Sequence, residues 1–183
     1  MKILALDSSG LVASVAVVEN DTLLAEYTVN YKKTHSQTLL PMLDEISNMT
    51  ELDLSTIDAI AVAGGPGSFT GLRIGSATAK GLGLALEKPL ISIPTTAAIA
   101  YNIWDTDKFV CPIMDARRNQ VYTGVYCYTD HRLDTVWEQD TMSIEALAEG
   151  LNCLDHEVIF LGDGVAVYRE KLQAVSYTHL TLP

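Results

Sequence analysis

The chain has 183 residues, 48% of them hydrophobic and 19% charged, a balance that supplies a packed core and excludes a disordered chain. With 12 Lys and Arg against 23 Asp and Glu it carries a net charge of −11, which argues against a protein that binds nucleic acid unaided. No apolar run approaches the roughly 18 residues needed to span a bilayer, and residues 1–10 do not read as a signal peptide.

In chain order, residues 3–6 read as a strand, Asp7–Gly10 as a turn and residues 12–18 as a second strand. Glu19, Asn20 and Asp21 are turn residues, and residues 23–29 make a third strand. A helical stretch starts at Thr34, with Thr34 and Gln37 at capping-box spacing. In it Leu39, Met42, Leu43 and Ile46 fall on one face. Pro41 inside this stretch predicts a kink or a later start. Residues 57–63 form a buried-type strand, 64–68 a glycine-rich loop, 70–86 a helix, 90–93 a strand and 95–103 a further helix.

The second half repeats this order. Strands at 109–114, 121–126 and 132–137 mirror the first three, with Asp115 in a turn where Asp7 stood. A helix over 143–151 follows, capped by Ser143. A strand at 158–161 then runs into Gly162-Asp163-Gly164, as the earlier one runs into Gly64-Gly65-Pro66-Gly67. The repeat predicts two duplicated α/β lobes, over residues 1–104 and 105–173, the second incomplete. Residues 174–183 follow no capping or amphipathic logic and read as a foreign tail.

The residues that could carry chemistry are few. Asp7-Ser8-Ser9 at a strand end could hold a hydrated cation and admit phosphate, or form an ordinary turn. The loop with Gly65 and Gly67 could offer backbone N–H groups to an anion, although it has neither Walker nor dinucleotide spacing. In the helix after it, Gly71, Gly75, Ala79 and Gly83 recur every fourth residue. Each interior glycine costs about 1 kcal/mol relative to alanine, so this bare ridge implies a close contact. The contact is either inside the lobe or with a partner's helix.

The four histidines, His35, His131, His156 and His179, have no metal-ligand spacing on one helix. Cys111, Cys127 and Cys153 fit neither a zinc knuckle nor a disulfide framework and read as thiols of a reducing, cytoplasmic compartment. No nucleophile elbow, HExxH or acid–base pair can be assembled, and Ser68 resembles an elbow only loosely.

The run Gly65-Pro66-Gly67-Ser68-Phe69-Thr70-Gly71-Leu72-Arg73-Ile74-Gly75, with Leu4-Ala5-Leu6-Asp7-Ser8-Ser9 and His35-Ser36-Gln37-Thr38-Leu39-Leu40-Pro41, closely resembles the TsaB (YeaZ) family. That family supplies the dimerisation subunit of the bacterial tRNA threonylcarbamoyladenosine machinery. The likeness covers residues 1 to about 173. It implies an actin/Hsp70-like (ASKHA) α/β fold of duplicated lobes. The related transferase TsaD carries an HxxxH metal pair, and Pro94-Thr95-Thr96-Ala97-Ala98-Ile99-Ala100 here contains no histidine.

The resemblance therefore implies a non-catalytic subunit, with no metal or cofactor of its own and with ATP or ADP at the complex interface. Its partners would be a TsaD-type transferase, a TsaE-type ATPase and possible second copies of itself, with tRNA reached through the complex and no membrane. The docking face implied is Leu39, Leu40 and Leu43 with Leu72, Gly75, Ser76 and Ala79. An ATP-dependent kinase-like enzyme or ATPase using Asp7 and the glycine loop is the main alternative, and a peptidase a remoter one.

Overall fold

The computed structural model describes residues 1–31 and 38–175. The chain divides into two compact units, one ending at Thr95 and one starting at Thr96. The first unit is a five-stranded sheet in the order β3-β2-β1-β4-β5. Its strands are β1 (Lys2–Asp7), β2 (Ala13–Glu19), β3 (Thr22–Val29), β4 (Ala59–Gly65) and β5 (Leu90–Pro94). β2 runs antiparallel to β1 and β3, while β1, β4 and β5 run parallel.

The parallel strands need crossovers, and α1 (Leu39–Thr50) and α2 (Phe69–Leu86) supply them. One face of the sheet, including Leu4, Leu6, Val15, Val17, Ile60 and Val62, forms a core with Leu39, Met42, Leu43 and Ile46 of α1. The period of two in the strands and of 3.6 in α1 produces these matching faces. α1 starts at Leu39, so Pro41 lies in its first turn, where no intrahelical donor is lost. The predicted cap at Thr34 and Gln37, and His35, lie outside the described residues.

The second unit holds a four-stranded sheet in the order β8-β7-β6-β9. Its strands are β6 (Phe109–Arg117), β7 (Gln120–Thr129), β8 (Arg132–Ser143) and β9 (Val158–Leu161), with helices α3 (Thr95–Ala100), α4 (Ile144–Asn152) and α5 (Gly164–Val175). β6 pairs antiparallel with β7 and parallel with β9, repeating the β1 pairings with β2 and β4. One face packs Ile113, Val125 and Phe160 against Leu147 of α4 and Val165, Tyr168 and Leu172 of α5. Ser143 caps α4, accepting a hydrogen bond from the Ala146 amide at 3.1 Å, as its place before an apolar run predicts.

Several expectations need correction. The boundary predicted after residue 104 lies at Thr95, because Ala97, Ile99, Ala100 and Ile103 pack with Val110, Tyr126 and Leu161 of the second sheet. α3 ends at Ala100 rather than 103. Asp115 lies inside β6, which continues to Arg117 through an irregularity in its pairing with β7. β8 extends to Ser143 because its polar second half still pairs with β7. The boundary drawn at residue 173 falls within α5, and residues 176–183 lie outside the described residues.

Candidate functional site

The C-terminal ends of β1 and β4 bring Asp7, Ser8, Ser9, Gly65 and Gly67 together. Asp7 Oδ1 accepts a hydrogen bond from the Ser9 amide at 2.7 Å, closing a tight turn. The Ser9 carbonyl accepts one from the Ser68 amide at 2.7 Å. Ser8 Oγ donates to the Gly71 carbonyl at 2.9 Å, and Ser68 Oγ accepts from the Gly71 amide at 3.3 Å as the cap of α2. A side chain at Gly67 would place Cβ 2.4 Å from the Ser9 carbonyl oxygen, so the loop can lie on the turn only through glycine.

The arrangement is a clasp between β1 and α2. Ser8 and Ser9 are 2% and 4% exposed, and the amides of Ser9, Ser68, Gly71 and Leu72 are all engaged within the chain. An anion arriving here would have to compete with those bonds.

The small-residue ridge faces the same way. Gly71, Gly75, Ala79 and Gly83 are the buried residues of α2. A Cβ on Gly75 would lie 2.5 Å from Ser8 Oγ and 3.6 Å from Val62 Cγ2, and one on Gly83 would lie 2.8 Å from Leu90 Cδ2. The ridge therefore lets α2 approach its own sheet. Of the implied docking residues, Leu39, Leu43, Gly75 and Ala79 are buried within the first unit.

Leu40, 53% exposed, and the half-buried Leu72 and Ser76 remain at the surface. The outer face of α2 carries a groove of about 340 Å³ lined by Phe69, Leu72, Arg73, Ser76, Ala77 and Lys80. Phe69 is 69% exposed and has the Arg73 guanidinium 4.1 Å above its ring. Leu84, 84% exposed, lies further along the same helix. Phe69, Arg73, Ala77 and Lys80 were not singled out in the sequence, although the helical period places them opposite the glycine ridge.

Elsewhere, Thr96 is buried, with its hydroxyl 2.7 Å from the Tyr126 phenol and donating to Gln139 Oε1 at 3.0 Å. Burial pushes the Cys111 thiol up to about 12, which leaves it inert at neutral pH. Among the described residues no group of three or more His, Cys, Asp or Glu is placed to hold a metal ion. Among them, too, no helix is long and apolar enough to cross a membrane, a statement that does not extend to β-barrels.

Comparison with known proteins agrees with this architecture. Residues 22–182 match the family model described as TsaD, tRNA N6-adenosine threonylcarbamoyltransferase. The tRNA threonylcarbamoyladenosine biosynthesis protein TsaB of Bacillus subtilis is 35% identical over 96% of this chain and 76% of its own length. The solved structure of YeaZ from Pseudomonas aeruginosa superposes with a TM-score of 0.83 at 28% identity, over 98% of this chain and 83% of that one. The ethanolamine utilization protein EutJ from Carboxydothermus hydrogenoformans shares the fold at a TM-score of 0.57 and 11% identity, over 100% of this chain and 85% of that one. The duplicated α/β units are those of the actin/Hsp70-like (ASKHA) fold, and the chain belongs to the TsaB (YeaZ) family of tRNA threonylcarbamoyladenosine biosynthesis proteins.

Proposed function

We propose that the chain is a non-catalytic subunit that binds and supports a TsaD-type transferase making threonylcarbamoyladenosine in tRNA. The observation that carries this reading is the outer face of α2, where exposed Phe69 and Leu84 and the groove beside Leu72 and Ser76 leave apolar surface on a rigid helix. Leu40 offers further apolar surface at the first turn of α1. The engaged amides of the β1 turn and the inert Cys111 thiol support a role without chemistry of its own. A TsaE-type ATPase would join the complex, ATP or ADP would be held where subunits meet, and a second copy of the chain would compete for the same face. A cytoplasmic setting goes with that role.

The test is light scattering on a sizing column, with the chain alone and then mixed with its TsaD-type partner. A stoichiometric complex is expected from the unaltered chain, and Ser76→Arg should abolish it while leaving the circular dichroism spectrum intact. A folded chain that ignores the partner yet turns over ATP in an Asp7-dependent way would replace this reading with the kinase-like one.

A further inference from the structure

Three β-hairpins among the described residues close through two-residue loops, Asn20-Asp21, Arg118-Asn119 and Asp130-His131, whereas β1 and β2 are joined by the longer segment 8–12. All six loop residues have positive φ, the geometry that suits the right-handed twist of a hairpin. Asn and Asp tolerate that region because their short side chains bond locally, so Asn20 and Asp130 fill the first loop position at little cost. Arg118 fills it between β6 and β7 with φ 52°, and Arg117 before it is also left-handed at φ 65°. Neither arginine gains the local compensation that Asn or Asp would. Backbone held in this region against preference concentrates at functional positions.

The tip is nevertheless tightly held. The Arg117 amide donates to Asp115 Oδ1 at 2.9 Å, and the Tyr168 hydroxyl of α5 donates to the same oxygen at 2.9 Å. Asn119 donates to both carboxylate oxygens of Glu145 at 3.1 and 2.8 Å. Lys171 bonds Asn119 and pairs with Glu145 at 3.0 Å. Asp115 and Glu145 are thus engaged by the fastening, and Asp163 Oδ1 accepts from the Asp115 amide at 3.2 Å, while the side chains of Arg117 and Arg118 are exposed and make no ion pair among the described residues.

We propose that Arg117 and Arg118 form a preorganised contact for the phosphodiester backbone of the tRNA handled by the complex. The inference rests on the proposed function and deepens it, since the chain then touches tRNA directly. A guanidinium matches two phosphate oxygens in its fork, and holding both arginines on a fastened turn reduces the ordering lost on binding. In a chain with net charge −11, attraction for RNA is confined to such a corner rather than spread over the surface.

The experiment uses the chain assembled with its TsaD-type and TsaE-type partners, and compares it with the double variant Arg117→Gly, Arg118→Gly. Glycine accepts both left-handed positions, so the variant should fold with an unchanged or raised thermal midpoint. Both forms should assemble on a sizing column. Binding of unmodified tRNA, read by fluorescence anisotropy across salt concentrations, should weaken about tenfold or more at low salt. The slope of log affinity against log salt should fall by about 2 for two lost contacts. Unchanged affinity and slope in an assembled variant would overturn the contact and leave the proposed function standing. A folded variant that no longer assembles would also overturn it, by making the corner a protein contact. If the unaltered chain itself fails to assemble, the proposed function falls and the contact with it.

Discussion

The two units solve one packing problem in opposite ways. In each, the strand after the crossover helix ends beside an aspartate, at the end of β1 in one and inside β6 in the other, and Asp7 and Asp115 each accept a hydrogen bond from the amide two residues on. In the first unit the following helix, α2, comes close with a ridge of bare backbone and is tied by the Ser8 hydroxyl to the Gly71 carbonyl. In the second, α5 fills the interval with Val165, Tyr168 and Leu172, and Tyr168 reaches across to Asp115. One fold thus accepts helix-to-sheet contact through main chain or through large side chains. The choice decides which residues are left for the outer face.

Interior truncation should break the second solution most severely. Leu172→Ala removes a fully buried side chain from α5 and should cost about 2–5 kcal/mol in chemical denaturation. Overfilling should break the first: Gly75→Leu drives Cβ into Ser8 Oγ and should cost about 1–3 kcal/mol or more, with the loss appearing in stability. If Gly75→Leu left the denaturation midpoint unchanged and removed partner binding alone, the ridge would face outward and the comparison would fail. Next in size, Ser8→Ala and Tyr168→Phe should each cost about 1 kcal/mol, because each deletes the hydroxyl that fastens helix to turn.

The smallest effect concerns pH. Hydrogen bonding from Asn119, then from Lys171, holds the Glu145 carboxyl down at about 2, well below the usual carboxylate range. A depressed folded-state pKa means that this contribution is full above the ordinary range and is lost as pH falls through it toward about 2. Glu145→Gln should flatten the acid limb of the stability profile slightly, and a profile unchanged by the substitution would show the fastening to be slack.

Much of the architecture was legible beforehand because it rests on local rules. The alternate burial along β1 and β2, the turn residues at Asn20-Asp21, and the Ser143 cap each rest on a few neighbouring residues. The end of β8 does not, because residues such as Glu138 and Asp140 on an outer strand carry no apolar signal, and only pairing with β7 keeps them extended. Nor does the direction of the α2 ridge: small residues every fourth position look alike whether they meet a sheet or another helix. The fastening of Asn119, Glu145 and Lys171 joins residues far apart in sequence and leaves no local trace.

The clasp between Ser9 and Ser68 makes the end of β1 and the first turn of α2 one lever. A load applied at Phe69 or Leu72, on the outside of that turn, would be felt at Asp7 rather than absorbed in a slack loop. The Ser68 amide is therefore a natural reporter. Its exchange with deuterium should slow when the outer face of α2 is covered, even though the amide itself points inward to the Ser9 carbonyl.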